Sequence, residues 1–236
     1  MTGKLYLIPA PLDNARALSY SQPEEVGRIM VSLRHYVVEE LRTARRFISS
    51  LGMGIDIDGL SFSLLNEHTP KDRIDAMLGP ALEGFDLGLM SEAGVPAVAD
   101  PGAELVAAAH RRGIKVVPLV GASSVIMSLM ASGLTGQTFT FNGYLPIKED
   151  ARQAAISRME RIALADGYSQ IFIEAPYRND KLVGSLLKRL SPATRLTVAC
   201  DITSVDEYIR TDTVAGWRKS PPPTLHKRPA IFIIGR

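Results

Sequence analysis

The stretch S-E-A-G-V-P-A-V-A-D-P-G, residues 91–102, decides the fold of this chain. It follows the apolar run Phe85–Met90, which predicts a buried strand, and it precedes the alanine-rich run Ala103–Arg112, which predicts a helix that stops at Gly113. A strand, a loop rich in glycine and proline, and a helix in this order are typical of a strand–helix–strand unit. The segment therefore predicts a parallel sheet with helices packed against it.

Strands and helices also alternate through the rest of the first half. We predict strands at Leu5–Ile8, His35–Val38, Ser61–Leu65 and Ile114–Pro118, and a helix at Leu41–Ser50. Such alternation indicates a parallel sheet covered by helices on both faces.

The second half changes character after a helix that ends at Ser132. We predict strands at Thr138–Leu145, Gln170–Glu174, Arg195–Cys200, Glu207–Val214 and Ala230–Ile234, and helices at Ala151–Ala165 and Asp180–Leu190. Strands cluster toward the end, which favours antiparallel pairs in a mixed sheet. The predicted fold class is therefore α/β with two domains, residues 1–118 and 119–236.

Length and composition limit the classes of protein to consider. The chain has 236 residues, of which 46% are hydrophobic and 22% charged, as in a globular protein that buries its own core. A formal net charge of +2 does not indicate an obligate nucleic-acid binder, so an RNA substrate would need a local basic patch. The single cysteine, Cys200, allows no internal disulfide, and no apolar run is long enough for a signal peptide or a membrane span. We therefore expect a cytoplasmic protein with no membrane partner.

Several common functional motifs are missing from the sequence. It contains neither G-x-G-x-x-G after the first strand, nor the phosphate-binding G-x-x-x-x-G-K-[ST], nor the G-x-S-x-G of serine hydrolases. The histidines lack the spacing of metal ligands, so we predict no metal site. They are His35, His68, His110 and His226.

The loops that follow the predicted strands are the places to look for a ligand, because open α/β sheets bind ligands beyond the carboxyl ends of their strands. Each of these loops is rich in small residues and proline, which bring the backbone close to a ligand. They are residues 9–11, 91–102, 121–124 and 174–176. Taken singly, each loop could also be an ordinary connection between a strand and a helix, in which glycine and proline only form the turn.

Taken together, these loops and their neighbours match a series of family motifs in order. Residues 5–14 are similar to the motif L-Y-L-V-P-T-P-I-G-N, residues 38–42 are similar to A-E-D-T-R, and residues 67–68 match part of H-E-H-N. Residues 91–102 are similar to S-D-A-G-T-P-x-I-S-D-P-G, and residues 117–124 are similar to V-P-L-P-G-P-S-A. Three further segments match the family in the same order: residues 131–134, 141–146 and 174–178. With these motifs the chain resembles the tetrapyrrole-methylase superfamily of S-adenosylmethionine (SAM)-dependent methyltransferases. It is most similar to the ribosomal RNA small-subunit methyltransferase I family, from Leu5 to about Arg210.

The resemblance implies that SAM is bound in a cleft between two α/β domains and that the chain forms a homodimer. Backbone groups would hold the methionine part of SAM while apolar side chains flank its adenine. The implied SAM-binding residues are Pro9, Ser91, Gly94, Val95, Pro96, Val98, Asp100, Ala122, Ser123, Leu145, Ala175 and Pro176. For Val95, Val98 and Leu145 the alternative is plain core packing.

The resemblance also implies methyl transfer to a ribose 2′-hydroxyl of the small ribosomal subunit, which a general base would assist. The implied catalytic residues are Glu92, Glu39 and Arg42, and the implied substrate-binding residues are Glu67, His68, Arg45 and Arg46. Each of these residues also has a simpler explanation. Glu92 could interact with the N-terminus of the helix that follows it, His68 could be structural, and the arginines could form a solvated helix face.

Two other functions fit the same motifs. A tetrapyrrole or another small molecule could replace RNA as the methyl acceptor. A SAM-binding or RNA-binding protein without catalysis is the third reading, because this chain departs from the family pattern at Glu40, Leu41, Glu92 and Val95.

Overall fold

The computed structural model describes residues 2–13 and 22–236, so Asn14, at the end of the matched opening segment, lies outside the described residues. Contacts divide the chain into two compact units, Met1–Ser123 and Ser124–Arg236. The domain division at residue 118 stays a prediction.

The first unit contains the predicted parallel sheet. Its strands are β1 (Lys4–Ile8), β2 (His35–Val38), β3 (Ser61–Leu64), β4 (Leu87–Met90) and β5 (Lys115–Pro118). They lie in the order β3-β2-β4-β1-β5, and every pair of neighbours is parallel. Strand β4 begins two residues later than expected, since Phe85 is exposed and the Asp86 carboxylate accepts a hydrogen bond from the backbone N–H of Lys4 at 2.8 Å.

Helices cover both faces of this sheet. They are α1 (Glu24–Ser32), α2 (Leu41–Ser50), α3 (Lys71–Ile74), a 3-10 turn (Asp75–Leu78), α4 (Gly79–Leu82) and α5 (Ala103–Arg111). Tyr36 and Val38 of β2 pack into one apolar cluster with α1 and α2, whereas Val37 packs into a second cluster with α3, α4 and α5. This alternation explains why the strands read as continuous apolar runs: both faces of the sheet are buried.

The strand order creates a switch point between β1 and β4. These two strands are neighbours, yet α1 after β1 and α5 after β4 pack on opposite faces of the sheet. The connections after the two strands therefore lead to opposite faces of the sheet, and open α/β sheets bind ligands beyond the carboxyl ends of the strands at such a switch point.

The second unit contains the predicted mixed sheet. Its strands are β6 (Phe139–Tyr144), β7 (Ser169–Ile173), β8 (Arg195–Cys200), β9 (Tyr208–Thr213) and β10 (Ala230–Gly235), in the order β6-β7-β10-β8-β9. Only β6 and β7 pair in parallel; the other neighbours are antiparallel. The helices are α6 (Ser124–Ser132), α7 (Glu149–Asp166), a 3-10 turn (Pro176–Arg178), α8 (Asn179–Arg189) and α9 (Val214–Lys219).

Aromatic side chains fill the core of the second unit. Phe172 and Phe232 stack with ring centroids 5.7 Å apart. Trp217 is fully buried, and its indole N–H donates a hydrogen bond to the backbone carbonyl of Leu196 at 2.8 Å. Burial raises the pKa of the Cys200 thiol to about 12, which fits an inert core cysteine.

No helix within residues 2–13 and 22–236 combines the length and the apolar character that a membrane crossing requires.

Candidate functional site

Three loops meet beyond the carboxyl edge of the parallel sheet. Ala10, after β1, and Gly94, after β4, exchange two backbone hydrogen bonds of 2.8 and 2.9 Å. Gly121, after β5, lies so close to Pro9 that an added Cβ would come within 2.3 Å of the proline ring. The fold thus brings together three of the loops that carry implied SAM-binding residues.

The loop at residues 91–102 has an unusual backbone. Gly94 and Gly102 have φ angles of 74° and 134°, and Ala97 and Ala99 both have φ of 65°. Glycine adopts this left-handed region without penalty, but alanine does so only at a cost. Backbone held in such conformations clusters at ligand-binding sites, so the two alanines mark the loop as a functional feature.

Carboxylates gather beside this loop. Glu39 follows β2, Glu67 follows β3, and Glu92 and Asp100 follow β4. The backbone N–H of Glu92 donates a hydrogen bond of 3.3 Å to Glu39 Oε2. Because β2, β3 and β4 are adjacent and parallel, their carboxyl ends present these acidic side chains at one edge.

The surroundings raise the pKa of two of these carboxyls. Burial raises the pKa of Glu39 above its ordinary value, and the negative charges of Glu92 and Glu67 raise it further. The hydrogen bond from the Glu92 N–H acts in the opposite direction and lowers this pKa. Burial and the nearby charge of Glu39 raise the pKa of Asp100 to about 6, against the effect of a hydrogen bond from Ser91. Carboxyls with raised pKa values can exchange protons near neutral pH, as a general base must.

Glu40 begins helix α2 and has a structural role. Its carboxylate accepts hydrogen bonds from the backbone N–H groups of Arg42 at 3.0 Å and Thr43 at 2.6 Å, and these bonds lower its pKa. At this position the family motif has aspartate, which is also a good N-terminal cap. The departure at Glu40 therefore keeps the cap.

The arginines of α2 differ in their surroundings. Arg45 forms an ion pair with Asp58, whereas Arg42 and Arg46 are exposed one helical turn apart. In the loop after β3, the side chains of Glu67 and His68 are both 84% exposed and lie 3.5 Å apart. The backbone of this turn is fixed by Asn66, whose Oδ1 accepts the N–H of His68 at 3.0 Å.

The burial of Val98 and Leu145 distinguishes core packing from exposure to a ligand, the two alternatives that the sequence leaves open for them. Val98 is 46% exposed, so core packing is the wrong explanation for it. Leu145 is only 5% exposed and belongs to the core of the second unit, as the packing alternative requires. Val95 is half-buried, while Pro9, Ser91, Gly94 and Pro96 are buried.

In the second unit, the loop after β7 is held by a pair that sequence reasoning missed. Glu174 Oε1 accepts hydrogen bonds from the N–H of Ala175 at 2.8 Å and from Arg178 Nη2 at 2.6 Å, and the Glu174 side chain is 1% exposed. The signal was present in the four-residue spacing of opposite charges around Pro176. Leu145 and Ala175 follow the parallel strands β6 and β7, so they lie at the same end of that sheet.

Within the described residues no group of three or more His, Cys, Asp or Glu side chains could hold a metal ion.

Comparison with known proteins gives the following matches. No protein-family model matches the chain. The chain is 31% identical over 217 residues to the ribosomal RNA small subunit methyltransferase I of Neisseria meningitidis serogroup A, covering 90% of this chain and 68% of that protein. Proteins of the same name from Vibrio cholerae and Micromonospora olivasterospora are 28% and 34% identical, over 87% of this chain and 67% and 61% of their own lengths. The chain thus spans about two thirds of the length of these relatives.

Solved structures of lower identity share the fold. The methyltransferase CobJ superposes with a TM-score of 0.66 at 15% identity, covering 100% of this chain and 95% of CobJ. A uroporphyrin-III C-methyltransferase from Thermus thermophilus, solved in complex with S-adenosylhomocysteine, gives a TM-score of 0.59 at 15% identity, covering 99% of this chain and 98% of that one. These likenesses confirm the predicted α/β fold class.

Proposed function

The chain belongs to the ribosomal RNA small subunit methyltransferase I family, and from this premise we propose that it transfers the methyl group of SAM to a ribose 2′-hydroxyl of small-subunit ribosomal RNA. One observation carries the proposal beyond family membership. At the switch point of the parallel sheet, a backbone-rich loop is hydrogen-bonded to the loop after β1 and lies beside carboxyls whose pKa values are raised.

The residues at the switch point fit SAM. Small residues and prolines at 91–102 allow the backbone to approach a ligand closely, and exposed Val98 is an apolar surface suited to adenine. In the first unit the proposed SAM-binding residues are Pro9, Ser91, Gly94, Val95, Pro96, Val98, Asp100, Ala122 and Ser123. In the second unit they are Ala175, Pro176 and Leu145, of which Leu145 would contribute its backbone because its side chain is buried in the core. Bound SAM supplies an electrophilic methyl group on a sulfonium.

Glu39 is the residue that we propose as the general base. A 2′-hydroxyl is a weak nucleophile until a base accepts its proton, and that base works best with a pKa near the working pH. Glu39 is half-buried, with a raised pKa, and the N–H of Glu92 holds one of its carboxylate oxygens. In this assignment Glu92 orients Glu39 through its backbone, and its own carboxylate faces the acceptor.

The proposed substrate contacts come from α2 and the loop after β3. Exposed Arg42 and Arg46 have guanidinium groups suited to RNA phosphates. Arg45 has the same chemistry but would have to leave Asp58 to use it. Glu67 and His68, whose side chains are exposed, are the other proposed substrate contacts.

Methyl transfer can be tested directly. The purified protein is incubated with isotopically labelled SAM and small ribosomal subunits from cells that lack this gene, and the RNA is digested to nucleosides for mass spectrometry. We expect label on one 2′-O-methylated nucleoside, and loss of that label with Glu39→Gln but not with Glu83→Gln, an exposed glutamate at the end of α4.

Other outcomes would point to the other two functions. Label in a porphyrinoid mixture with inert RNA would replace RNA by a tetrapyrrole as the acceptor. Calorimetric binding of SAM with no labelled product on any acceptor would indicate a binding protein without catalysis. The proposed homodimer is tested separately by light scattering of the purified protein.

A further inference from the structure

An open cavity of about 660 Å³ lies beside β3, at the outer edge of the parallel sheet. Its lining includes the apolar residues Phe62, Leu64 and Met77 and the polar residues Asn66, His68 and Arg73. Cavities of about 300–1,000 Å³ are typical of sites for small organic groups. The function proposed above does not use this cavity, except through His68.

The cavity carries a cation that has no ion-pair partner among the described residues. On the same helical segment, Lys71 pairs with Glu104 at 2.7 Å, and Asp75 pairs with Arg111 and Arg112. In the described part of the chain, no carboxylate oxygen lies within 4 Å of the Arg73 guanidinium. An unpaired guanidinium at the mouth of a cavity is suited to a phosphate group.

The rest of the cavity is suited to a nucleobase. Leu64 is 50% exposed at the end of β3 and offers an apolar surface, whereas the ring of Phe62 stacks on Tyr36 at a centroid distance of 5.7 Å, on the face that α1 and α2 cover. Strand β3 pairs only with β2 among the described strands, so its outer edge offers backbone N–H and C=O groups in the manner of an edge strand. Proteins recognise single-stranded RNA by combining apolar contact with a splayed base and hydrogen bonds to its edge.

The cavity lining is linked along the chain to the carboxylates at the carboxyl edge of the sheet. Glu67, whose charge contributes to the raised pKa of Glu39, stands between Asn66 and His68, which both line the cavity. The hydrogen bond from the N–H of Asn66 to Thr69 Oγ1, at 2.9 Å, fixes the turn that joins the two places. This turn therefore places the cavity lining next to a residue whose charge acts on the proposed base.

We propose that this cavity, which we call the β3 cavity, binds an unpaired nucleotide next to the methylated one, with its base against the exposed Leu64 and its phosphate on Arg73. The inference rests on the proposed function and adds a site for sequence or shape selection outside the catalytic centre. It assigns a binding role to Arg73, which matches no motif in the sequence.

The test compares Arg73→Gln with Arg28→Gln, a matched change of an exposed α1 arginine that pairs with Glu24. Binding of a fluorescein-labelled single-stranded RNA decamer is followed by anisotropy across salt concentrations. We expect Arg73→Gln to weaken binding about tenfold and to reduce the salt slope by about one, as the loss of one phosphate contact should. Arg28→Gln should match the wild type, and calorimetric binding of S-adenosylhomocysteine should be the same for all three proteins.

The base contact is tested with Leu64→Ser against Leu82→Ser, a matched change of an exposed leucine on α4. We expect Leu64→Ser to weaken RNA binding about fivefold without changing the salt slope, since stacking and apolar contacts carry no charge. RNA that contains 4-thiouridine should cross-link to residues 62–77. Unchanged affinity and salt slope in Arg73→Gln, or cross-links elsewhere, would overturn the β3 cavity even if methyl transfer to RNA is normal. Absence of methyl transfer to RNA by the wild type would instead overturn the proposed function.

Discussion

The charged carboxylate of Asp100 lowers the stability of the folded chain, because its surroundings disfavour the charged form. Burial and the charge of Glu39 raise its pKa to about 6, so between its unfolded pKa and pH 6 the folded state binds more protons than the unfolded state. Stability then falls as pH rises through this window. We expect Asp100→Asn to stabilise the first unit at pH 7 by about 1–2 kcal/mol, discounted for partial exposure, and to give no gain near pH 4. Urea unfolding at both pH values measures the difference, with exposed Asp72→Asn as the control. An equal effect at the two pH values would contradict the raised pKa.

Glu39 can be examined separately from stability. If it is the base, kcat for RNA should rise with pH toward a plateau as its carboxyl loses a proton, and Glu39→Gln should lower kcat by about 100-fold or more. The same substitution removes a charge that raises the pKa of Asp100, so that pKa should fall below about 6. Kinetics across pH and NMR titration of the Asp100 carboxyl test the two effects. A normal kcat in Glu39→Gln would transfer the role of base to another group.

Ala99 occupies a backbone conformation that costs an L-residue about 1–2 kcal/mol. Glycine would remove that cost but lose more conformational entropy on folding, about 0.5–1 kcal/mol. Ala99→Gly should therefore stabilise the protein slightly or leave it unchanged. The same change at exposed Ala107, inside helix α5, should destabilise it by about 1 kcal/mol. Denaturant midpoints of the two variants compare the two environments, and a loss of stability in both would show that the loop does not strain Ala99.

At the scale of a single element, the stability of helix α2 depends on its N-terminal cap, Glu40. Glu40 accepts the N–H groups of Arg42 and Thr43, and these bonds lower its pKa, so its stabilisation is present at neutral pH and is lost as pH falls through that lowered value. We expect Glu40→Ala to lower the unfolding midpoint at pH 7, and Glu40→Asp, which restores the family residue, to preserve it. Circular dichroism melts compare the two variants, and equal losses would show that the carboxylate is not the cap.

Most elements could be predicted from apolar runs and their breakers, because the central strands of both sheets are buried on both faces. The strands of the parallel sheet and the change to a mixed sheet are confirmed. Helix α1 was not predicted, since it begins after Pro23 without a side-chain cap, and neither was α9, where a predicted strand passes into a short helix at Val214.

The site was predictable only in part, for a different reason. Loop motifs place Pro9, Gly94 and Glu39 in the chain, but the two hydrogen bonds between Ala10 and Gly94 join residues far apart in sequence. Likewise, the sequence does not show that Lys71 and Asp75 form ion pairs with residues at α5 while Arg73 has no ion-pair partner among the described residues. A sequence pattern shows which residues are charged, but ion-pair partners are set by tertiary packing.

At the scale of the whole molecule, the single tryptophan offers a test of how many units contribute to cofactor binding. Trp217 is fully buried in the second unit, so its fluorescence follows the unfolding of that unit, while far-UV circular dichroism follows both. A ligand at 100 times its Kd stabilises the fold that binds it by about 2.7 kcal/mol. The proposed SAM-binding residues include Leu145, Ala175 and Pro176 of the second unit, so S-adenosylhomocysteine should raise the thermal midpoint seen by both probes. Adenosine at the same concentration serves as the weaker-binding control. A shift seen by circular dichroism with the fluorescence midpoint unmoved would confine cofactor binding to the first unit and remove those three residues from the site.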